Sequence, residues 1–287
     1  VAAVSRKIVA SNAHVDLQLH TIHSDGQWVP AELVRYLAEH HFAVAAVTDH
    51  DSLEYSADIC VLGEEAGVHV IPGTEITTAW RGLPAHLLCY SSGFTGDILR
   101  SLATRIRDAQ LNNTRDVFDV LIGRGYRFPR AQDVLAHQNG HVLRPVDNAQ
   151  LLVAHGYTGT IEQALDVIRE AGYRQTTVPV ADAIEAAHAS GAVAVLAHPG
   201  RGGGELHAFS VDELNELVTW LPLDGIEAYY PTHTAEQVKI YSAFASARGL
   251  LVSAGSDSHG STQRYPIAYP ASLVAPLLER CGVAVTL

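Results

Sequence analysis

The chain has 287 residues, 47% of them hydrophobic and 17% charged, the profile of a globular protein with a large core rather than a disordered one. Its 19 basic and 31 acidic residues sum to −12, which argues against a general nucleic-acid binder, because such proteins use basic patches to release phosphate counterions. Three cysteines far apart in the chain, Cys60, Cys89 and Cys281, exclude a disulfide framework and a Cys-x-x-Cys knuckle.

No apolar run approaches the roughly 20 residues of a membrane span. Val1 to Ser11 lacks a signal-peptide core and cleavage site, so a cytoplasmic protein without membrane contact is expected. The composition carries one positive signal, 16 histidines. Imidazole is the commonest metal ligand.

In chain order, Ala13 to Leu19 reads as a strand. Pro30 to His41 reads as a helix, with proline in its first turn and Leu33, Val34 and Leu37 on one face. Ala43 to Val47 reads as a buried strand. Val68 to Ile71 leads to a turn expected at Pro72-Gly73, and Ala85 to Tyr90 is another strand. Gly96 to Arg124 has a long helical stripe. Shorter helices follow near 130–137, 146–155 and 161–171, with no strand between them. A helix at 181–190 and a strand at 192–197 restore the earlier rhythm. Next come a helix at 211–221, a strand at 225–230, a helix at 235–248 and a strand at 250–255. A helix at 272–280 and a strand at 283–287 end the chain. About seven strand–helix units argue for a parallel sheet or barrel, divided as 12–95, a helical insertion at 96–177, and 178–287.

Polar residues gather just after the C-terminal ends of the strands, the face on which αβ barrels build their sites. Gln18 and His20 are two apart, a spacing that puts both side chains on one strand face. Asp257 and His259 repeat it. A mixed nitrogen and carboxylate donor set suits zinc, manganese or iron rather than calcium. Glu75 has two oxygens and could bridge two ions. Ions about 3.5–4 Å apart can activate water and clamp a phosphoryl group.

Eight short motifs occur in a fixed order: Leu19-His20-Thr21, Ser24-Asp25-Gly26, Thr48-Asp49-His50-Asp51, Pro72-Gly73-Thr74-Glu75, His86-Leu87-Leu88-Cys89-Tyr90, Ala197-His198-Pro199-Gly200-Arg201, Gly225-Ile226-Glu227-Ala228-Tyr229-Tyr230-Pro231 and Ser256-Asp257-Ser258-His259-Gly260. Together they resemble the PHP (polymerase and histidinol phosphatase) family over nearly the whole chain. The likeness is greatest to its stand-alone phosphoesterases, which include nucleoside 3′,5′-bisphosphate phosphatases and 5′–3′ oligoribonucleases.

The resemblance implies an α/β fold, a distorted seven-stranded (β/α) barrel of PHP type with an α-helical insertion acting as a lid. It implies two or three divalent ions, drawn from manganese, zinc, iron or magnesium. One would be held by Gln18, His20, Glu75 and Asp257. A second would use Glu75, His86 and His198, and a third Asp25, His50 and His259. A metal-bound water held by Glu75, Asp257 and His198 would attack phosphorus in line. The implied substrate is a small phosphorylated nucleotide, best a nucleoside 3′,5′-bisphosphate, or a short 5′-phosphorylated RNA.

The chain departs from the family twice. The usual His-x-His pair is Gln18-Leu19-His20 here, and an amide oxygen is a poorer donor than imidazole. The insertion reads Leu143-Arg144-Pro145-Val146 where Gly-Arg-Pro-His is common. Arg144, Arg201 and His233 are the candidate substrate contacts. Asp49 and Asp51 are read as supports or helix caps. His23 is read as a variable position and not a ligand.

Two other functions compete. An amidohydrolase-type barrel would commonly bridge its metals with a carbamylated lysine, but neither Lys7 nor Lys239 is placed for that. A non-catalytic metal- or nucleotide-binding module would account for Gln18, but not for the other intact positions.

Overall fold

The computed structural model describes residues 7–203 and 206–286. In chain order it contains β1 (Lys7–Ala10), β2 (His14–Leu19), α1 (Pro30–Glu39), β3 (Phe42–Val47), α2 (Ser56–Ala66), β4 (His69–Trp80), β5 (Leu83–Tyr90) and α3 (Ile98–Gly123). Then come α4 (Ala131–Val134), α5 (Pro145–Ala154), α6 (Ile161–Glu170), β6 (Val178–Pro179), α7 (Val180–Ala189), β7 (Val193–Leu196) and α8 (Val211–Trp220). The last elements are β8 (Gly225–Tyr229), α9 (Ala235–Arg248), β9 (Leu251–Ala254), β10 (Tyr269–Pro270), α10 (Ala275–Arg280) and β11 (Val283–Thr286). The final residue of the expected terminal strand, Leu287, lies outside the described residues.

The chain divides into two compact units: one from the stretches up to Ala103 and from Thr177 onward, the other Thr104–Thr176. In the first unit, seven strands run in the order β2-β3-β4-β5-β7-β8-β9, with β10 beside β2 and β6 beside β4. The ends of this path meet. Leu19 bridges Ser258, His20 N–H donates to Ser258 O at 3.0 Å, and Asp257 N–H donates to Gln18 O at 2.9 Å. The sheet is therefore a nearly closed barrel.

It is not all parallel. β5 pairs antiparallel with both β4 and β7. The reason is local: only Arg81 and Gly82, both with positive φ, separate β4 from β5. A two-residue link can join only antiparallel neighbours.

The turn expected at Pro72-Gly73 is absent. β4 runs through it, with Pro72 opposite Val47 and Gly73 opposite Tyr90. Glycine serves close packing there, since a Cβ at Gly73 would stand 3.0 Å from Thr48 Cγ2. α2 was not foreseen because it has little amphipathic signal: it buries Ile59 and Gly63 while Val61 is exposed. β1 pairs with β11 in a small separate parallel sheet.

One apolar cluster joins Val15, Leu17, Val44, Leu88 and Val195 to Leu277 of α10. A second packs Leu33, Val34 and Leu37 of α1 against Ala45 and Val70. Burial of this kind holds the strand ends in place, at roughly 1.5–3 kcal/mol for each large apolar side chain.

The second unit is helical. Val117 and Leu121 of α3 pack with Leu152 of α5 and Ile168 of α6. Thr160 caps α6 by accepting from Gln163 N–H. No helix among the described residues is long and apolar enough to cross a membrane.

Candidate metal centre

The sequence-predicted ligands all belong to the first unit. Gln18 ends β2 with Leu19, and His20 follows directly. His50 follows β3 and bridges Glu75, which lies inside β4. His86 lies inside β5, opposite Thr77. His198 follows β7, and Asp257 and His259 follow β9. The strand ends of β2, β3, β7 and β9 thus deliver most of these residues, while β4 and the reversed β5 deliver Glu75 and His86 from their middles.

Glu75 is fully buried and sits at the centre. Its Oε1 lies 2.7 Å from His86 Nδ1 and 3.1 Å from His198 Nε2. Its Oε2 lies 3.1 Å from His20 Nε2 and accepts from Gln18 Nε2 at 2.8 Å. His20 Nε2 is also 3.2 Å from Asp257 Oδ1. His259 Nε2 stands 3.2 Å from Asp25 Oδ2. The His20 ring stacks with His259 at 4.2 Å and with His50 at 4.8 Å.

Three sets of ligand atoms converge: His20, Asp25, His50 and His259; His50, Glu75 and His86; and His20, Glu75 and Asp257. His50 therefore stands between two sets, where one had been expected.

The electrostatics follow from this crowding. Burial alone would lower the His20 imidazole, but the Asp257 and Glu75 carboxylates outweigh it and hold it well above its usual range. Burial would likewise raise the Glu75 carboxyl, yet His50, His86, His198 and His20 hold it well below. Asp25, whose side chain is partly exposed, is held low chiefly by His259 and His50. Burial dominates at His50, pushed down to about 4, and at His198, also lowered. The result is ionised carboxylates beside imidazoles that favour the neutral form at His50 and His198 and hold a proton at His20, a proton that a divalent cation would displace.

Hydrogen bonding leaves several polar atoms over. Both ring nitrogens of His20, Nδ1 of His50, Nε2 of His86 and Oε1 of Gln18 are buried without a hydrogen-bond partner. Buried polar atoms are normally paired. His20 Nε2 lies within 3.2 Å of both the Glu75 and Asp257 carboxylates, a pairing that needs a proton, or a cation in its place. A cation among these atoms would satisfy them, so the residues present fit a metal cluster.

Other buried carboxylates shape the loops. Asp49 accepts from Thr21 N–H and Thr21 Oγ1, both at 2.7 Å, and from Ser24 Oγ at 2.6 Å. That fixes the loop carrying Asp25. Asp51 accepts from Thr77 N–H at 2.9 Å and Thr77 Oγ1 at 2.6 Å. Neither caps a helix.

Sequence reasoning missed two supports. Asp16 takes N–H groups from Ser256 and Ile267, each at 2.9 Å. Glu227 takes His198 N–H at 2.8 Å. This bond fixes His198 in a left-handed conformation, φ 28°, which is costly for a residue other than glycine. The available signal was a carboxylate inside the otherwise apolar strand Gly225–Tyr229.

The expected substrate contacts diverge. Arg201 is partly exposed beside the cluster, with Nη1 2.8 Å from Asp257 Oδ2. His233, expected as a substrate contact, is placed as a pin between backbone groups. It is buried, its Nδ1 pairs with Ala228 O at 3.0 Å, and its Nε2 accepts from Gly200 N–H at 3.1 Å. Its ring nitrogens thus join β8 to the loop that follows His198. Arg144 belongs to the helical unit. Its side chain pairs with the buried Asp147 at 2.9 Å, at the start of α5. His23 stacks on Tyr55 with centroids 3.6 Å apart.

No family model matches the chain. It is 30% identical over 274 residues to the 5′-3′ exoribonuclease Rnm of Escherichia coli strain K12, covering 85% of this chain and 84% of that protein. It is 24% identical over 267 residues to the 3′,5′-nucleoside bisphosphate phosphatase of Chromobacterium violaceum, covering 86% and 87%. A solved structure from Bifidobacterium adolescentis, described as a metal-dependent phosphoesterase, shares the fold with a TM-score of 0.79. The two are 24% identical, with 97% of this chain and 99% of that one covered.

Proposed function

The chain belongs to the PHP family of metal-dependent phosphoesterases, and on that premise we propose that it hydrolyses the 3′-phosphate of a nucleoside 3′,5′-bisphosphate. The products are a nucleoside 5′-monophosphate and phosphate: water adds to phosphorus and the bond to the ribose 3′-oxygen breaks. Short 5′-phosphorylated RNA is the competing substrate for the same site, on the analogy of the E. coli relative.

The observation that carries this reading is the set of imidazole nitrogens buried around Glu75 without hydrogen-bond partners. His20, Asp25, His50, Glu75, His86, His198, Asp257 and His259 would hold two or three divalent ions, manganese, zinc, iron or magnesium. Bound there, such ions supply Lewis acidity toward phosphoryl oxygens and acidify water.

The protein's own groups do the rest. Glu75 faces His86 and His198 with one oxygen and His20 with the other, so a single carboxylate ties the sets together. Arg201 offers a guanidinium at the rim, able to exchange Asp257 for a substrate phosphate. Its cation offsets local negative charge where a phosphate must approach an acidic protein. Neither lysine competes for a bridging place: Lys7 is in β1 and Lys239 in α9. Three unpaired cysteines fit a reducing compartment, so we place the protein in the cytoplasm.

The test is phosphate release from adenosine 3′,5′-bisphosphate with added manganese, run beside release of mononucleotide from a 5′-phosphorylated RNA oligomer. Glu75→Ala and chelation should abolish both. No product with manganese, magnesium, zinc or iron, or activity that survives Glu75→Ala, overturns the proposal.

A further inference from the structure

We infer that Gln18 turns the metal position bounded by His20, Glu75 and Asp257 into an exchangeable one, which fills last, empties first and prefers a hard ion such as manganese or magnesium to zinc. The inference rests on the phosphoesterase reading only for the presence of metal.

Three observations converge. First, Gln18 is fully buried, and its amide Nε2 donates to Glu75 Oε2 at 2.8 Å while Oε1 has no partner. An N–H group cannot ligate a cation. Here it instead occupies one lone pair of the oxygen that this position depends on. Turning the amide over would bring Oε1 against Glu75 Oε2 and break a charge-assisted hydrogen bond. Ligation by Gln18 therefore starts with a loss that a histidine at position 18 would not incur.

Second, the other carboxylate is already compensated. Asp257 Oδ2 accepts from Arg201 Nη1 at 2.8 Å and from Tyr230 OH at 2.9 Å. Only Oδ1 faces His20, at 3.2 Å. The position thus has one imidazole and two carboxylates whose charge is partly spent.

Third, the neighbouring sets are richer in nitrogen. His20, Asp25, His50 and His259 form a four-residue set, and His50 and His86 face Glu75 in another. Imidazole donors suit zinc, whereas oxygen-dominated donor sets favour magnesium and manganese. Gln18 has little freedom to find another pose: a Cβ on Gly255 would stand 2.4 Å from Gln18 Cβ, so the wall behind it is tightly packed.

The experiment is metal analysis of the full chain. Wild type, Gln18→His and Gln18→Ala are loaded with manganese or zinc, passed into metal-free buffer and assayed for ions per chain. Wild type should retain one ion fewer than Gln18→His. Readdition should saturate wild type at a manganese concentration roughly tenfold or more above that needed by Gln18→His. Gln18→His should also shift the retained metal toward zinc. Gln18→Ala should keep the ions wild type keeps. Equal retention and equal zinc preference in wild type and Gln18→His overturns the inference. So does loss of a tightly held ion in Gln18→Ala, which would make Gln18 a ligand. Gln18→Glu is the second variant: it restores an ionic donor with less change of shape and should also raise retention. Turnover is measured separately at saturating manganese. Absent turnover with the expected metal pattern refutes the phosphoesterase reading and leaves this inference standing.

Discussion

Asp49→Ala isolates what a buried carboxylate does when it faces a loop instead of the metal cluster. Three donors lose their acceptor: Thr21 N–H, Thr21 Oγ1 and Ser24 Oγ, all within 2.7 Å. Thr21 is fully buried, so its amide cannot turn to water, and each buried unsatisfied group costs about 1–3 kcal/mol. Thr21 Oγ1 still accepts from His23 N–H at 3.2 Å, but its own proton loses its acceptor, and Ser24 is only part-buried and can rehydrate. The three losses share one acceptor and do not add, which leaves about 2–4 kcal/mol of destabilisation. Asp49→Asn retains one oxygen for Thr21 N–H and should lose about half as much. Urea unfolding reads both. Metal retention should fall in Asp49→Ala as well, because the freed loop carries Asp25. An Asp49→Ala protein within about 0.5 kcal/mol of wild type, a change typical of a neutral surface site, would refute the account of how this loop is held.

Three further outcomes follow from the same geometry. In metal-free protein, His20 and His259 are held above their usual range because nearby carboxylates outweigh burial. Their stabilisation is complete below the unfolded imidazole value and is lost as pH rises through the raised folded values. The melting temperature with EDTA should therefore fall as pH rises above the unfolded imidazole value of about 6.5, while manganese, by replacing those protons, should remove or reverse the slope; a metal-free profile that rises with pH contradicts this. At Glu227, burial drives the carboxyl well above its usual range, favouring the neutral form. Glu227→Gln should unfold within about 1 kcal/mol of wild type, whereas Glu227→Ala should lose about 2–3 kcal/mol and an ion held through His198; equal stability of the two variants counts against the bond to His198. Arg201→Ala should change stability by less than about 1 kcal/mol, since the guanidinium is partly exposed. It should raise KM for the bisphosphate about tenfold with less effect on kcat, and an unchanged KM removes Arg201 as a phosphate contact.

Most of the candidate ligands were legible as candidates because they sit in short motifs just after a strand end, where local sequence already states both the element and its termination; Glu75 and His86 lie inside their strands. Apolar strands halting at Thr48-Asp49-His50, Ala197-His198 or Ser256-Asp257 carry that information within a few residues. The reversal of β5 was less legible, since a parallel barrel and one with an inserted hairpin differ only in what Arg81-Gly82 does. α2 escaped notice for a related reason: its apolar residues do not line one face. The role of His233 was beyond reach because both of its partners, Gly200 and Ala228, are backbone groups. No side-chain pattern announces such partners.

The buried acids show why composition alone overstated some residues and hid others. Asp16, Asp49, Asp51, Glu75, Glu227 and Asp257 are all buried, and each needs compensation. Asp16, Asp49, Asp51 and Glu227 receive backbone N–H groups, some with hydroxyls added. Such bonds point along the chain, so these four residues stitch strand ends and loops together. Glu75 faces imidazole nitrogens and a side-chain amide, and Asp257 faces His20 while leaning on Arg201 and Tyr230. Imidazoles that remain unpaired beside a buried carboxylate have their lone pairs free for a cation, whereas a backbone N–H has none to offer. The identity of the facing donor thus separates scaffold carboxylates from ligand carboxylates. It also explains Gln18: at the boundary between the two classes, it brings a scaffold-type N–H into the ligand cluster and weakens the one position it touches.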